Sequence, residues 1–486
     1  MQLKDLINNI PFNGQPDNRI ISAITYDSRK VRPGTLFVAI EGKHFDGHDF
    51  ILQAIEKGAS AILSNGRSPI TDIVPIIRVD NPRSAMSIVS ANFFGNPSKD
   101  MKIVGVTGTN GKTSTAYIID KILKVAELPC GTIGTLGFSS PSGLMSTGFT
   151  TPESVEIHQL LSTLKSSNIN CAIMEISSHA LTLDRVKDVD VDIGVFTNLS
   201  NEHLDFHGDM ESYFDSKFKL FKGLSKNKLA IINLDDPYGK VIADKINCNV
   251  LTFGLSRYSD IQAINCNYTA DGTTFEIKYN NKKYSFFTPL IGSYNLYNIL
   301  GSISVAISLK IDLNIISKTC RAIDSIPGRM EAIKLHNNNL VIIDYAHTPD
   351  AYNKLLSNVK NFHNNKKIIT LFGCGGNRDQ NNRSKMAEIA EKYSDKIFVT
   401  SDNPRKESFE SILYDIEQGF CKNDYTVIKD RTTAIKEALN SISKNTILIV
   451  LGKGHEKYQE INGVKMPHDD LEIIKRFEIE SRNKRA

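Results

Sequence analysis

The stretch that most constrains this chain is Ile103-Val104-Gly105-Val106, which runs through Thr107 into Gly108-Thr109-Asn110-Gly111-Lys112-Thr113 and then into a segment of helical spacing, Ala116 to Val125. A strand, a glycine loop and a helix in that order belong to a parallel α/β sheet, where ligands gather at the C-terminal ends of strands. Glycines let backbone N–H groups turn toward phosphates, and the helix N-terminus adds a favourable dipole. Lys112 neutralises oxygens, and Thr113 offers a hydroxyl to magnesium. The expected ligand is ATP. The residue five before Gly111 is Val106, so the loop is a variant with a shorter glycine spacing than the commonest phosphate loop.

A chain of 486 residues is too long for one hydrophobic core, and roughly two to four domains are expected. The turn-rich Gly95-Asn96-Pro97-Ser98-Lys99-Asp100 marks a first seam, and Pro327-Gly328-Arg329 marks a second. These divide the chain into 1–98, 99–331 and 332–486. In the last segment, apolar runs at Leu340 to Asp344, Ile368 to Phe372, Ile397 to Thr400, Tyr425 to Ile428 and Ile447 to Leu451 alternate with helical spacing. Ile435, Ala438, Leu439 and Ile442, for example, share one helix face. Such a βαβ series stacks into a mostly parallel, doubly wound sheet. The middle segment alternates too, with runs at Ala172 to Ile176, Ile193 to Thr197 and Leu229 to Asn233, before β-rich text around Tyr268 to Phe287. The fold class is α/β.

Polar clusters follow these strands. Glu175-Ile176-Ser177-Ser178-His179 and the run from Asn198 to His207 place carboxylate and imidazole groups at the ligand edge of the same sheet, where they could hold a second Mg²⁺.

The chain as a whole resembles the Mur ligase family, the ATP-dependent amide-forming enzymes of bacterial cell-wall precursor synthesis. The resemblance rests on Gly108 to Ser114 (GTNGKTS), Thr150-Thr151-Pro152-Glu153, Glu175 to Leu181 (EISSHAL), His203 to Gly208 (HLDFHG) and Gly328-Arg329-Met330-Glu331. It also rests on Asp344 to Asp350 (DYAHTPD), Asp402 to Arg405 (DNPR) and Gly452 to Glu456 (GKGHE). It implies three domains: an N-terminal αβ domain for the UDP group, a central phosphate-loop ATPase domain and a C-terminal Rossmann-like domain for an incoming amino acid. It also implies an acyl-phosphate route, in which ATP activates a carboxylate that an amine then attacks.

By the same resemblance, Gly108, Thr109, Asn110, Gly111, Lys112, Thr113, Ser114, Asn295, Asn298, Arg329 and Asp344 surround ATP. Thr113, Glu175, His203 and Lys217 form the metal-binding set, and Lys112, Glu175, His203 and Lys217 the catalytic one. Lys217 matches a lysine that is carbamylated in the family, although its local sequence alone reads as an ordinary helix-surface lysine. Ser28, within Asp27-Ser28-Arg29, joins Thr150, Thr151, Ser178 and Arg185 as contacts to a UDP-sugar peptide. Leu183 stands where close relatives often carry Gln.

Arg405 is the reason to expect meso-diaminopimelate as the added amino acid, since a guanidinium grips the distal carboxylate that lysine lacks. Arg378, Asp402, Asn403, Pro404, Gly452 and Glu456 complete that pocket, with Asn377 where the family usually has Asp. The implied substrates are meso-diaminopimelate and UDP-MurNAc-L-Ala-D-Glu. Three rival readings remain. A lysine-adding relative is opposed by DNPR, and a folylpolyglutamate synthetase-like ligase by the N-terminal segment. A nucleotide-gated binding protein is opposed by a separate amino-acid pocket.

Composition agrees with a cytoplasmic enzyme. A net charge of +4 leaves no footprint for nucleic acid. No segment reaches the ~18 continuous apolar residues of a membrane span, and the opening Met1 to Leu6 has no signal-peptide character. Seven scattered cysteines, none paired as C-x-x-C, suggest reduced thiols rather than disulfides or zinc. A monomer is expected, with neither nucleic acid nor membrane as partner.

Overall fold

The computed structural model describes residues 1–42, 45–67, 73–140, 143–269, 271–336, 339–363 and 365–483. They form two compact units. The first comprises Met1–Leu199, Asp209–Gln262 and Leu300–Ile316, and the second Ser200–Gly208, Ala263–Ile299 and the chain from Ser317 onward.

The first unit holds two sheets. Ala23–Thr25, Thr35–Val38, Ala59–Ser64 and Ile76–Arg78 pair in chain order, all parallel. Because both faces are covered, the strands read as apolar runs. Leu36, Val38, Leu63 and Ile77 face one core and Phe37, Ala39, Ile62 and Ile76 the other. The helix Pro82–Phe93 starts where Asn81 accepts from the N–H groups of Arg83 and Ser84, with proline at its first position.

In the second sheet, Asn249–Gly254, Leu229–Asn233, Ile193–Phe196, Lys102–Thr107, Cys171–Glu175 and Gly131–Gly134 lie side by side and parallel. Gly137–Ser140 and Gly143–Met145 extend it antiparallel. The strand Lys102–Thr107 sits between Cys171–Glu175 and Ile193–Phe196, so successive connections leave it in opposite directions. That is the switch point where an open α/β sheet has room for a ligand. The helix after the glycine loop begins at Lys112, earlier than its apolar spacing predicts, because Gly111 caps it in a left-handed conformation at φ 86°.

In the second unit, Leu340–Asp344, Thr446–Leu451, Lys367–Phe372, Lys396–Val399 and Tyr425–Val427 form a parallel sheet, edged by the antiparallel Glu331–Lys334. Helices Pro349–Phe362, Asn381–Tyr393 and Phe409–Glu417 cover one face through Leu356, Ala387 and Ile416. Arg431–Asn440 and Asp470–Asn483 cover the other through Ile435, Ala438 and Ile474. This is the doubly wound arrangement read from the alternation of runs. The β-rich text expected around Tyr268 to Phe287 includes the antiparallel pair Gly272–Tyr279 and Lys282–Thr288. Among the described residues, no helix is long and apolar enough to cross a membrane.

Candidate active site

The phosphate loop of the first unit is held open from behind. Thr109 N donates to Asn198 O at 2.8 Å, Asn110 N donates to Asn198 Oδ1 at 3.0 Å, and Thr197 Oγ1 donates to Asn110 O at 2.6 Å. Gly108 has φ 152°, and a Cβ there would lie 1.9 Å from Thr197 Oγ1, so no side chain fits without moving the neighbouring strand end. Lys112 Nζ donates to the carbonyls of Gly108 and Thr109 at 2.8 and 2.9 Å, which folds its charge back over the loop. Thr113 and Ser114 are buried in the first turn of the helix.

Beneath the loop, Thr113 Oγ1 donates to Glu175 Oε2 at 2.8 Å. Glu175 is itself fixed, since its Oε1 accepts from Thr135 N at 2.8 Å and its Oε2 from Thr135 Oγ1 at 3.0 Å. Gly134 is required here, because a Cβ would lie 2.2 Å from Glu175 Oε1. Thr135 was not singled out in the sequence. It also bonds the hydroxyl of Thr150 at 3.0 Å, joining the carboxylate to the Thr150-Thr151 segment.

Lys217 departs from the surface reading of its local sequence. It lies on the helix Met210–Lys222 with 1% exposure, and its Nζ donates to Gly108 O at 2.9 Å and sits 4.6 Å from the Tyr213 ring centroid. Tyr213, Leu220, Phe221 and Leu224 are buried around it in sequence, so Lys217 occupies one position of an apolar helix stripe. A hydroxyl and a carboxylate side by side are the hard oxygen donors that suit magnesium, whereas a lysine ammonium repels a cation unless carbamylation makes it an anion. His203 belongs to the second unit, where it caps Leu204–His207 at φ 59°, 3.8 Å from Glu202.

The residues expected at a UDP-sugar peptide are organised by an acidic residue that sequence reasoning passed over. Glu153 Oε1 lies 2.8 Å from Arg83 Nη1 and 2.9 Å from Arg185 Nη2, while Arg185 Nη1 donates to Thr151 O at 3.0 Å. Thr151 Oγ1 donates to Glu175 O at 2.8 Å. Ser178 is buried at the start of a short helix, and Ser28 lies in a single turn capped by Asp27. Leu183 ends the Ser178 helix, its N–H donating to His179 O at 2.9 Å. Phe149, largely exposed, packs against the Arg185 guanidinium at 5.7 Å.

In the second unit, Asp344 is buried at its strand end and accepts from Met330 N and Ala346 N, both at 2.7 Å. Burial raises its carboxyl above the usual range, against the pull of the Arg329 guanidinium. Arg329 lies 4.8 Å over the Tyr345 ring. Asn295 Nδ2 donates to Ile291 O at 2.9 Å and Asn298 Nδ2 to Asn295 Oδ1 at 3.2 Å.

The same unit brings Arg378 and Arg405 to one pair of glycines. Arg405 Nη1 donates to Gly376 O at 2.8 Å, and a Cβ on Gly375 would lie 3.0 Å from Arg405 Nη1 and 3.5 Å from Arg378 Cγ. Asn403 Nδ2 donates to Glu456 Oε2 at 2.9 Å. Lys453, fully buried and not singled out in the sequence, donates to Asn403 Oδ1 at 2.8 Å and to Glu456 Oε2 at 2.7 Å. Burial would raise the Glu456 carboxyl, but the Lys453 charge and the bonds from Lys453 and Asn403 hold it below its ordinary range. Asp402 accepts from Asn403 N at 2.7 Å, and Gly452 leaves room for its carboxylate. Pro404 is buried between Asn403 and Arg405.

The chain is similar to known proteins along most of its length. Residues 20–94 match "Mur ligase family, catalytic domain", 106–306 match "Mur ligase middle domain", and 328–454 match "Mur ligase, glutamate ligase domain". A UDP-N-acetylmuramoyl-L-alanyl-D-glutamate–2,6-diaminopimelate ligase of Fusobacterium nucleatum is 40% identical over 94% of this chain and 94% of its own. One from Clostridium acetobutylicum is 38% identical over 98% and 99%. A solved structure titled as the same ligase superposes with a TM-score of 0.70 at 29% identity, covering 99% of both chains.

Proposed function

The chain belongs to the Mur ligase family, and from that premise we propose how its residues join meso-2,6-diaminopimelate to UDP-N-acetylmuramoyl-L-alanyl-D-glutamate at the expense of ATP. The reaction is an ATP-dependent carboxylate–amine ligation in peptidoglycan precursor synthesis, and so serves wall biogenesis, cell shape and division. The segments 1–98, 99–331 and 332–486 carry the UDP-substrate, the ATP and the amino acid in turn, in a cytoplasmic monomer.

A carboxylate has no leaving group, so the terminal carboxylate of the D-glutamyl peptide must first take the γ-phosphoryl group of ATP. The amine of diaminopimelate then attacks the acyl phosphate, and the tetrahedral intermediate expels phosphate. Both steps concentrate negative charge, and positioned cations and N–H dipoles lower their barriers. Lys112, the loop N–H groups from Gly108 to Ser114 and the helix N-terminus receive the phosphates. Thr113, Glu175, His203 and carbamylated Lys217 would hold magnesium, which would neutralise phosphoryl oxygens when bound. Asn295, Asn298, Arg329 and Asp344 attend the nucleotide. Ser28, Thr150, Thr151, Ser178 and Arg185 bind the UDP-sugar peptide.

Arg378 and Arg405 receive the carboxylates of diaminopimelate, while Glu456 takes its distal ammonium. The observation that carries this substrate choice is the approach of two arginines to Gly375 and Gly376, in the unit where the Lys453 charge holds the Glu456 carboxyl below its ordinary range. Phosphate release with ATP and UDP-N-acetylmuramoyl-L-alanyl-D-glutamate tests it. Release that depends on diaminopimelate and not on L-lysine is expected, and Arg405→Ala raises the KM for diaminopimelate while sparing that for ATP. Equal release with lysine would overturn the assignment.

A further inference from the structure

The two arginine-bearing loops of the amino-acid pocket are fastened together through Arg383, Glu407 and Asn377. Arg383, 1% exposed, places Nη1 at 2.8 Å from both Glu407 Oε2 and Asp415 Oδ2, and its Nη2 donates to Gly375 O at 3.2 Å. The other carboxylate oxygen of Glu407 accepts a short hydrogen bond from Asn377 N. Lys406 N donates to Asn377 Oδ1 at 3.2 Å and Gly376 N to Asn403 O at 2.9 Å. A Cβ on Gly376 would lie 1.9 Å from Pro404 O, so the loops are in direct backbone contact.

One of the loops carries strain at this junction. Asn377 and Arg405 both have left-handed backbone, φ 53° and 54°, which asparagine adopts readily but which an arginine keeps only where neighbours enforce it. Arg405 is further held by its N–H bond to Glu460 O at 2.9 Å and by Asn462 N on its own carbonyl at 2.6 Å. The carboxylate of Glu407 therefore braces the left-handed turn next to Arg378 from a point two residues beyond Arg405. Asn377 suits this turn because asparagine tolerates the left-handed backbone and accepts from Lys406 N.

We propose that Glu407, clamped by buried Arg383, is a positioning residue that sets the spacing between Arg378 and Arg405 and thereby the selectivity for an amino acid with a distal carboxylate. The inference rests on the diaminopimelate reading of this pocket. Its test compares wild type, Glu407→Gln and Glu407→Ala by phosphate release, with diaminopimelate or L-lysine as acceptor and with thermal unfolding in parallel. Glutamine keeps the shape and an acceptor for Asn377 N but loses the ion pair with Arg383, so it remains testable if the alanine variant folds poorly.

The expected result for Glu407→Gln is a KM for diaminopimelate raised about tenfold. The kcat and the KM values for ATP and the UDP-peptide should stay within about threefold, and preference over lysine should fall. An unchanged KM and preference would overturn the proposal. So would a uniform loss against all three substrates that tracks thermal stability, since that is what a purely structural role gives. A wild-type enzyme inactive with diaminopimelate would instead remove the substrate reading, and the inference with it.

Discussion

Lys217 Nζ donates a hydrogen bond to Gly108 O at 2.9 Å from within an apolar stripe of its helix. Its amine is thereby fixed beside the phosphate loop, at the place where the family resemblance puts a carbamylated lysine. Addition of CO₂ to the amine would supply an anion able to hold magnesium in the proposed site. The intact protein should therefore carry the mass of one added CO₂, and its turnover should fall after removal of dissolved CO₂ at mildly acidic pH and recover with bicarbonate. Lys217→Arg, which keeps the charge and cannot be carbamylated, should lose turnover by about a hundredfold or more and fail to respond to bicarbonate. A bicarbonate-insensitive wild type of unmodified mass would dismiss the modification.

Glu175 accepts from Thr113 and twice from Thr135, so its orientation is set before any ligand arrives. Glu175→Gln preserves the shape but removes the charge that would attract magnesium in the proposed site. Turnover should drop by about a hundredfold at low magnesium and recover in part as magnesium is raised, while metal-free nucleotide binding changes little. Steady-state rates across a magnesium series, alongside nucleotide binding in chelator, separate these outcomes.

The parallel sheets were legible because strands covered on both faces read as unbroken apolar runs, and the glycine loop was legible because its backbone demands are specific to residue type. Lys217 was harder. The stripe of Tyr213, Leu220, Phe221 and Leu224 passes through it at helical spacing, so a signal for burial was present, outweighed by the usual exposure of lysine. Glu153 precedes the helix Ser154–Ser166 and makes no side-chain cap bond to it; its carboxylate is committed to Arg83 and Arg185, 70 and 32 positions away in the chain. Arg383 is similar, sitting in a polar helix whose sequence gives no hint of partners at Gly375, Glu407 and Asp415. Local pattern reports periodicity and turn chemistry, but pairings made by tertiary folding leave no periodic trace.

Glu153 has one oxygen shared by two guanidinium groups and is itself buried. Replacing it by Ala leaves Arg83 and Arg185 facing each other without the intervening charge. A loss of about 3 kcal/mol in stability is expected, the usual cost of removing one partner from a largely buried ion pair. Glu153→Gln should cost less, yet still raise the KM for the UDP-peptide by roughly tenfold through misplacement of Arg185, with the KM for ATP unchanged. Chemical denaturation and two-substrate kinetics on the same preparations check both parts, and an unaltered UDP-peptide KM in the Gln variant would reject the link to Arg185.

His158 carries a pH dependence that belongs to folding rather than to catalysis. It is fully buried on the helix Ser154–Ser166, neither ring nitrogen has a hydrogen-bond partner among the described residues, and burial pushes its pKa down to about 4 from an ordinary 6.5. The folded state thus stays neutral where the unfolded chain takes up a proton. Above the unfolded value the group is neutral in both states and exacts no penalty. As pH falls from 6.5 toward 4 the unfolded state is progressively favoured, and stability declines by roughly 3 kcal/mol across that window. His158→Leu removes the titration without orphaning a partner, so its stability should fall less steeply over the same range, with little loss at pH 7.5. Denaturant midpoints of both proteins, measured at intervals from pH 7.5 to 4.5, test this: parallel curves would show that the acid sensitivity arises elsewhere.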